Sequence, residues 1–117
     1  MQAEIQIDAA LFGSFEINDQ GIIRHYQPVA ADKDETGARA ELVGRNFFND
    51  VAPRGRAEEL RARIRHFRRG GKPTETFDLD LGRPGEGLLT ARVLLTTIQE
   101  RTANETTESV LVHIRRA

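Results

Sequence analysis

The chain has 117 residues, with 17 Lys and Arg against 18 Asp and Glu and a formal net charge of -1. That size supports one domain with a single modest core, and that charge gives no overall pull toward nucleic acid or an anionic membrane. There is no cysteine, so disulfides, thiolate metal sites, cysteine nucleophiles and thioether-linked cofactors are excluded.

Apolar residues make up 38% and charged residues 30%, the composition of a globular rather than a disordered chain. No apolar run approaches the roughly 20 residues that a membrane span needs. Met1-Gln2-Ala3-Glu4 lacks the basic start and apolar stretch of a secretion signal. A soluble, cytoplasmic protein is the expectation.

Residues 1–10 carry a short apolar pattern (Ile5, Ile7, Ala9, Ala10) that fits an N-terminal arm or a short helix, and the domain proper spans 11–117. Leu11, Gly13, Phe15 and Ile17 alternate along one side of a strand. Asn18-Asp19-Gln20-Gly21 is a turn signal, because Asn and Gly tolerate positive φ. Ile22 to Tyr26 returns as a second strand, which Pro28 is expected to stop. Residues 29–43 are polar and broken by Gly37, and fit one or two short helical turns. In Gly44 to Pro53, Phe47, Phe48 and Val51 fall at helical spacing, in a stretch too short to be stable without a sheet beneath it.

Residues 56–69 form the clearest helix. Leu60, Ile64 and Phe67 share one face, Glu58 and Glu59 sit at its start, and Arg65, Arg68 and Arg69 near its end, which suits the helix dipole. Gly70-Gly71 ends it. Thr74 to Leu81 alternates, with Phe77, Leu79 and Leu81 opposite Thr76, Asp78 and Asp80. A Gly/Pro-rich turn spans Gly82 to Gly87. Leu88 to Ile98 is a long strand, Arg101 to Glu105 a polar loop, and Thr107 to Arg115 a closing strand with Val110, Val112 and Ile114 on one face. Two strands, short helices, a longer helix and three strands predict an α+β fold, a five-stranded antiparallel sheet with helices on one face.

That order resembles a PAS domain. Gly44-Arg45-Asn46-Phe47-Phe48-Asn49-Asp50-Val51-Ala52-Pro53 closely resembles the run before the chromophore cysteine in the photoactive yellow protein family. Phe12-Gly13, the hairpin with Gly21, Tyr26 at the end of the second strand and the basic C-terminus are also similar to that family. The resemblance implies a sensory PAS fold with a pocket beneath its short helices. It also marks departures. The family attaches p-coumaric acid by a thioester to a cysteine just after the Ala-Pro, where this chain has Arg54, so no covalent cofactor is expected. Tyr26 stands where the family has its phenol-binding tyrosine. The family's chromophore-binding glutamate falls where this chain has Ala30 and Ala31, with Asp32 next. Thr36-Gly37-Ala38-Arg39 is similar to a threonine-glycine-arginine run near the family's chromophore, with one residue inserted.

The candidate pocket residues are therefore Tyr26, Thr36, Arg39, Phe47, Phe48, Arg54 and Phe67. Each has a plainer reading. Arg54 is either a guanidinium facing the old chromophore pocket, able to pair with a carboxylate ligand, or a solvated side chain at a helix boundary. Tyr26 either lines a polar corner or bonds locally, and Arg39 either joins it or lies on the surface. The three phenylalanines line a pocket or fill the core, and their helical spacing favours the core.

Of the three histidines, His66 is the one a haem-binding PAS domain would use, but a helical wheel places it well off the Leu60/Ile64/Phe67 face. The arginines from Arg54 to Arg69 offer a nucleic-acid reading. Glu58 and Glu59 interleave with them and they spread around the helix, so a solvated face with no nucleic-acid partner is expected. No nucleophile–base pair, phosphate loop or metal-ligand spacing is present. A small enzyme would need a buried acid, for which Asp32 and Glu75 are the candidates.

These readings converge on a non-photoactive sensory or interaction domain. It binds a non-covalent small ligand, pairs as a homodimer and signals to a protein partner. The competing reading is a ligand-free interaction module whose pocket is filled by its own side chains.

Overall fold

The computed structural model describes residues 12–28, 42–52, 55–80 and 90–117. Within them the alternating segments become one antiparallel sheet of β1 (Gly13–Ile17), β2 (Ile23–Pro28), β3 (Thr74–Asp80), β4 (Thr90–Arg101) and β5 (Thr106–Arg116). The spatial order is β2-β1-β5-β4-β3. The last strand in sequence is thus central, pairing with β1 on one side and β4 on the other. The two-residue period of a strand puts alternate side chains on one face. Here that face carries Phe15, Ile17, Phe77, Leu79, Val93, Leu95, Val110, Val112 and Ile114, all buried.

Two helices, α1 (Phe47–Asp50) and α2 (Ala57–Gly70), complete the core with Phe47, Leu60, Ile64 and Phe67. Helix α2 follows its sequence signals, with Glu58 and Glu59 in its first turn and Arg68 and Arg69 in its last. It ends at Gly71, whose φ of 74° is left-handed and suits glycine.

Helix α1 is one turn long, and a single turn is unstable alone. It is held by the β1–β2 hairpin. Asn18 organises the turn: its Oδ1 accepts from the N–H of Gln20 and of Ile22, each at 2.9 Å. The next segment then clips onto the hairpin's edge. Gly44 N–H donates to Ile23 O (2.7 Å), Ile23 N–H to Arg45 O (2.8 Å) and Phe47 N–H to Gly21 O (2.8 Å). Asn46 caps the helix by accepting from the N–H groups of Phe48 and Asn49 at 2.9 and 3.1 Å, an arrangement worth ~1 kcal/mol.

Pro28 ends β2 as expected: it is the strand's last residue, opposite Gly13. Strand β2 lies at the sheet edge, where proline's missing N–H costs no ladder bond. Arg101 belongs to β4 rather than to the loop, because the turn closes tightly on Thr102, whose N–H donates to Glu105 O at 2.8 Å. A register shift between Glu16 and Ile17 leaves Arg24 as an extra residue in β2, a bulge that sequence alternation alone cannot show. The N-terminal arm, the polar turns across 29–41, Leu81 and the Gly82–Gly87 turn lie outside the described residues.

Candidate functional site

Inward alternation on β2 aims Tyr26 into the core, where it is 5% exposed. Its ring stacks on Phe15 with centroids 4.8 Å apart. Phe15 lies 5.0 Å from Phe47, and Phe47 meets Phe48 edge-on at 5.3 Å. Four rings from two strands and a helical turn thus form one continuous path, with ring separations in the favourable range for aromatic pairs. Three of the sequence-selected residues, Tyr26, Phe47 and Phe48, lie on it. Phe15, its centre, shows in the sequence only as one of the alternating positions of the first strand. Its signal was the register of the hairpin, which sets Phe15 directly opposite Tyr26. Phe67 is buried in the same core from α2. Thr36, Arg39 and Arg54, with Ala30, Ala31 and Asp32, lie outside the described residues.

Phe48 ends the path at the surface. It is half-buried, and its ring lies close above Gly21, where an added Cβ would come within 2.9 Å of two ring carbons. Gly21 also has a φ of +81°, so glycine is needed there twice over. On the other side the Arg61 guanidinium sits 4.8 Å from the Phe48 ring centre, a cation–π arrangement. Between the hairpin turn and α2 lies an open cleft of about 160 Å³. Asn18, Asp19, Gln20 and Gly21 form one wall, and Arg61, Ile64, Arg65 and Arg68 the other.

The arginines of α2 and its N-terminal edge thus divide into two sets rather than spreading evenly around the helix. Arg63 turns to Phe77 (4.6 Å) and Glu75 (3.9 Å), and Arg56 donates to Asp80 O at 2.8 Å. Arg61, Arg65 and Arg68 instead recur at i, i+4 and i+7, one position on from Leu60, Ile64 and Phe67. They form a stripe along the edge of the buried face. Arg61 Nε and Arg68 Nη2 are buried with no hydrogen-bond partner, a cost of ~1–3 kcal/mol for each such donor. The spacing is present in the sequence, but among the seven arginines from Arg54 to Arg69 it does not stand out.

The remaining candidates point elsewhere. His66 is exposed, as its wheel position requires. Asp78 and Asp80 are exposed on the outer face of β3, and Asp78 accepts from Arg92 Nε at 3.1 Å. That outer sheet face also carries Ser14, hydrogen-bonded to His113 Nδ1 at 2.6 Å, and the half-buried Leu94, Ile98 and Leu111. Among the described residues no group of three or more His, Asp or Glu is placed to hold a metal ion, and no helix is long and apolar enough to cross a membrane.

No protein-family model matches the chain. Over 63 residues it is 36% identical to photoactive yellow protein of Rhodothalassium salexigens, a stretch covering 53% of this chain and 49% of that protein. The match thus spans about half the length of that relative. The chain also superposes on the crystal structure of a PAS domain from a two-component sensor histidine kinase. The TM-score is 0.55, the coverage 99% of this chain and 94% of that one, and the identity 17%. At that identity the likeness speaks for the fold. The absence of cysteine excludes a thioester-bound chromophore of the photoactive yellow protein kind.

Proposed function

We propose that this PAS-fold domain, which resembles photoactive yellow protein over half its length, is a non-photoactive sensory module. It takes a small ligand non-covalently beside Tyr26 and passes the signal on through protein contacts. The observation that carries the reading is the aromatic path Tyr26–Phe15–Phe47–Phe48. It runs from Tyr26, which the family resemblance sets at a phenol-binding position, to the surface through the helical turn that is clipped to the hairpin. A ligand that packs against this path changes the position of α1 only by binding two arrangements unequally, and that difference in affinity is the whole of the signal. Thr36, Arg39 and Arg54 are the polar groups proposed to meet the ligand, with Phe67 as part of the apolar floor.

The output is proposed to be a change in pairing, with a second copy of the chain, through the outer sheet face, and with a further protein partner. Leu94, Ile98 and Leu111 lie half-buried on that face. The role is recognition rather than catalysis, and the place of action is the cytoplasm.

One observation favours the ligand-free module instead: Tyr26 is 5% exposed and the fully buried Phe15 ring stacks directly on it, with Phe47 packed behind, so the chain's own side chains already pack against the tyrosine. Native mass spectrometry of protein purified from cells, with a thermal-shift screen of small aromatic acids, separates the two. The sensory reading predicts a bound mass or a saturable rise in Tm, and no absorbance band near roughly 400 nm of the kind that haem gives. A bare chain that no acid stabilises would leave the interaction module as the answer, and a haem band would replace both.

A further inference from the structure

The cleft between the hairpin turn and α2 is separate from the space beside Tyr26, and its chemistry is different. Its helical wall is the stripe of Arg61, Arg65 and Arg68. At 1.5 Å rise and 100° per residue, these three side chains leave the helix within about 60° of rotation and roughly 10 Å of axis. Three like charges held this close repel one another, and burial beside Phe48 and Ile64 weakens the screening by water. Among the described residues none of the three forms an ion pair, although Arg56, Arg63 and Arg92 all do. Arg61 Nε and Arg68 Nη2 are, in addition, buried donors with no acceptor. A cluster of guanidinium groups that has charge, direction and unused donors has the chemistry of an oxyanion site.

We propose that this cleft binds a small oxyanion, a phosphate or carboxylate group carried by a small molecule, held chiefly by Arg61 and Arg68. Its volume of about 160 Å³ is below the usual range for drug-sized ligands, about 300–1,000 Å³, so the group is compact. Asp19 stands on the opposite wall and is exposed. Its charge leaves room for one anion and disfavours an extended polyanion, which argues against a nucleic-acid backbone. Bound there, the anion joins α2 to the hairpin turn whose Gly21 carbonyl already holds α1. The site is thus placed to stiffen the same clip that the ligand beside Tyr26 is proposed to move, without depending on that ligand.

The test follows the Arg61 Nε–H resonance in ¹H–¹⁵N spectra during titration with inorganic phosphate and, separately, with benzoate, at ionic strength held constant with chloride. The expected result is a saturable shift of that resonance and of the Asn18–Gly21 amides with at least one of the two anions. Arg61→Gln with Arg68→Gln is expected to lower the affinity at least tenfold, whereas Arg69→Gln, which removes one such charge outside the cleft, changes it less than twofold. Asp19→Asn is expected to tighten binding a few-fold. Phosphate binding without benzoate assigns a free phosphate or phosphate ester, and benzoate binding assigns an organic acid, using Phe48 and Ile64 as its apolar wall. The proposal is overturned if chloride alone gives the same shifts, if Arg69→Gln weakens binding as much as the double variant, or if only a DNA duplex binds, with the steep salt dependence of a polyanion.

Discussion

At the scale of single residues, two positions decide how the short helix meets the sheet. Gly21 combines a φ of +81° with a Phe48 ring that would lie 2.9 Å from any Cβ. Gly21→Ala therefore meets both backbone strain and overpacking, and is expected to destabilise the domain by about 2–3 kcal/mol, read as a lower urea midpoint at unchanged slope. Asn46 contributes through its cap, so Asn46→Ala should cost about 1 kcal/mol. Its damage should be local, with faster amide exchange at Phe48 and Asn49, whose N–H groups lose their acceptor. Exchange that rises equally across β4 and β5 would show that α1 is not a separable unit.

At the scale of elements, α2 sets its buried face and its arginine stripe one residue of phase apart. Phe67 is buried, so Phe67→Ala should cost about 3–5 kcal/mol through the cavity it leaves. Arg69 is exposed, and Arg69→Gln should stay within about 0.5 kcal/mol of the parent chain in the same denaturation experiment. This phase also explains what the sequence made legible. Period-two alternation in β3 and β5, and the Leu60/Ile64/Phe67 spacing in α2, recur over enough residues to define a face, so those elements and their buried sides followed from pattern alone. The helical spacing of Phe47, Phe48 and Val51 likewise marks the short turn that forms there. The bulge at Arg24 and the edge placement that tolerates Pro28 depend on which strand lies beside which. Chain order does not carry that information. The cleft was missed for a related reason: it needs the hairpin turn and α2 as neighbours, and these are some 40 residues apart in a chain whose connections are usually far shorter.

At the scale of the whole molecule, the sheet has two faces of different character. The inner face is closed by α1 and α2. The outer face mixes the Asp78–Arg92 and Ser14–His113 pairs with the half-buried Leu94, Ile98 and Leu111. If that face joins two copies, light scattering coupled to size exclusion should give a mass that falls from dimer to monomer on dilution. Leu111→Lys should give a monomer at every concentration while leaving the thermal unfolding of the isolated domain nearly unchanged. A parent chain that is monomeric throughout removes the homodimer from the account.

The central claim, a non-covalent ligand beside Tyr26, is tested most directly by titrating the ¹⁵N-labelled domain with free p-coumarate, the small aromatic acid to which the resemblance to the photoactive yellow protein family points. The account predicts saturable amide shifts at Phe15, Tyr26 and Phe47, lost in Tyr26→Ala and retained in Arg61→Gln. Shifts confined to Asn18–Gly21 and α2, or none at all, would contradict it.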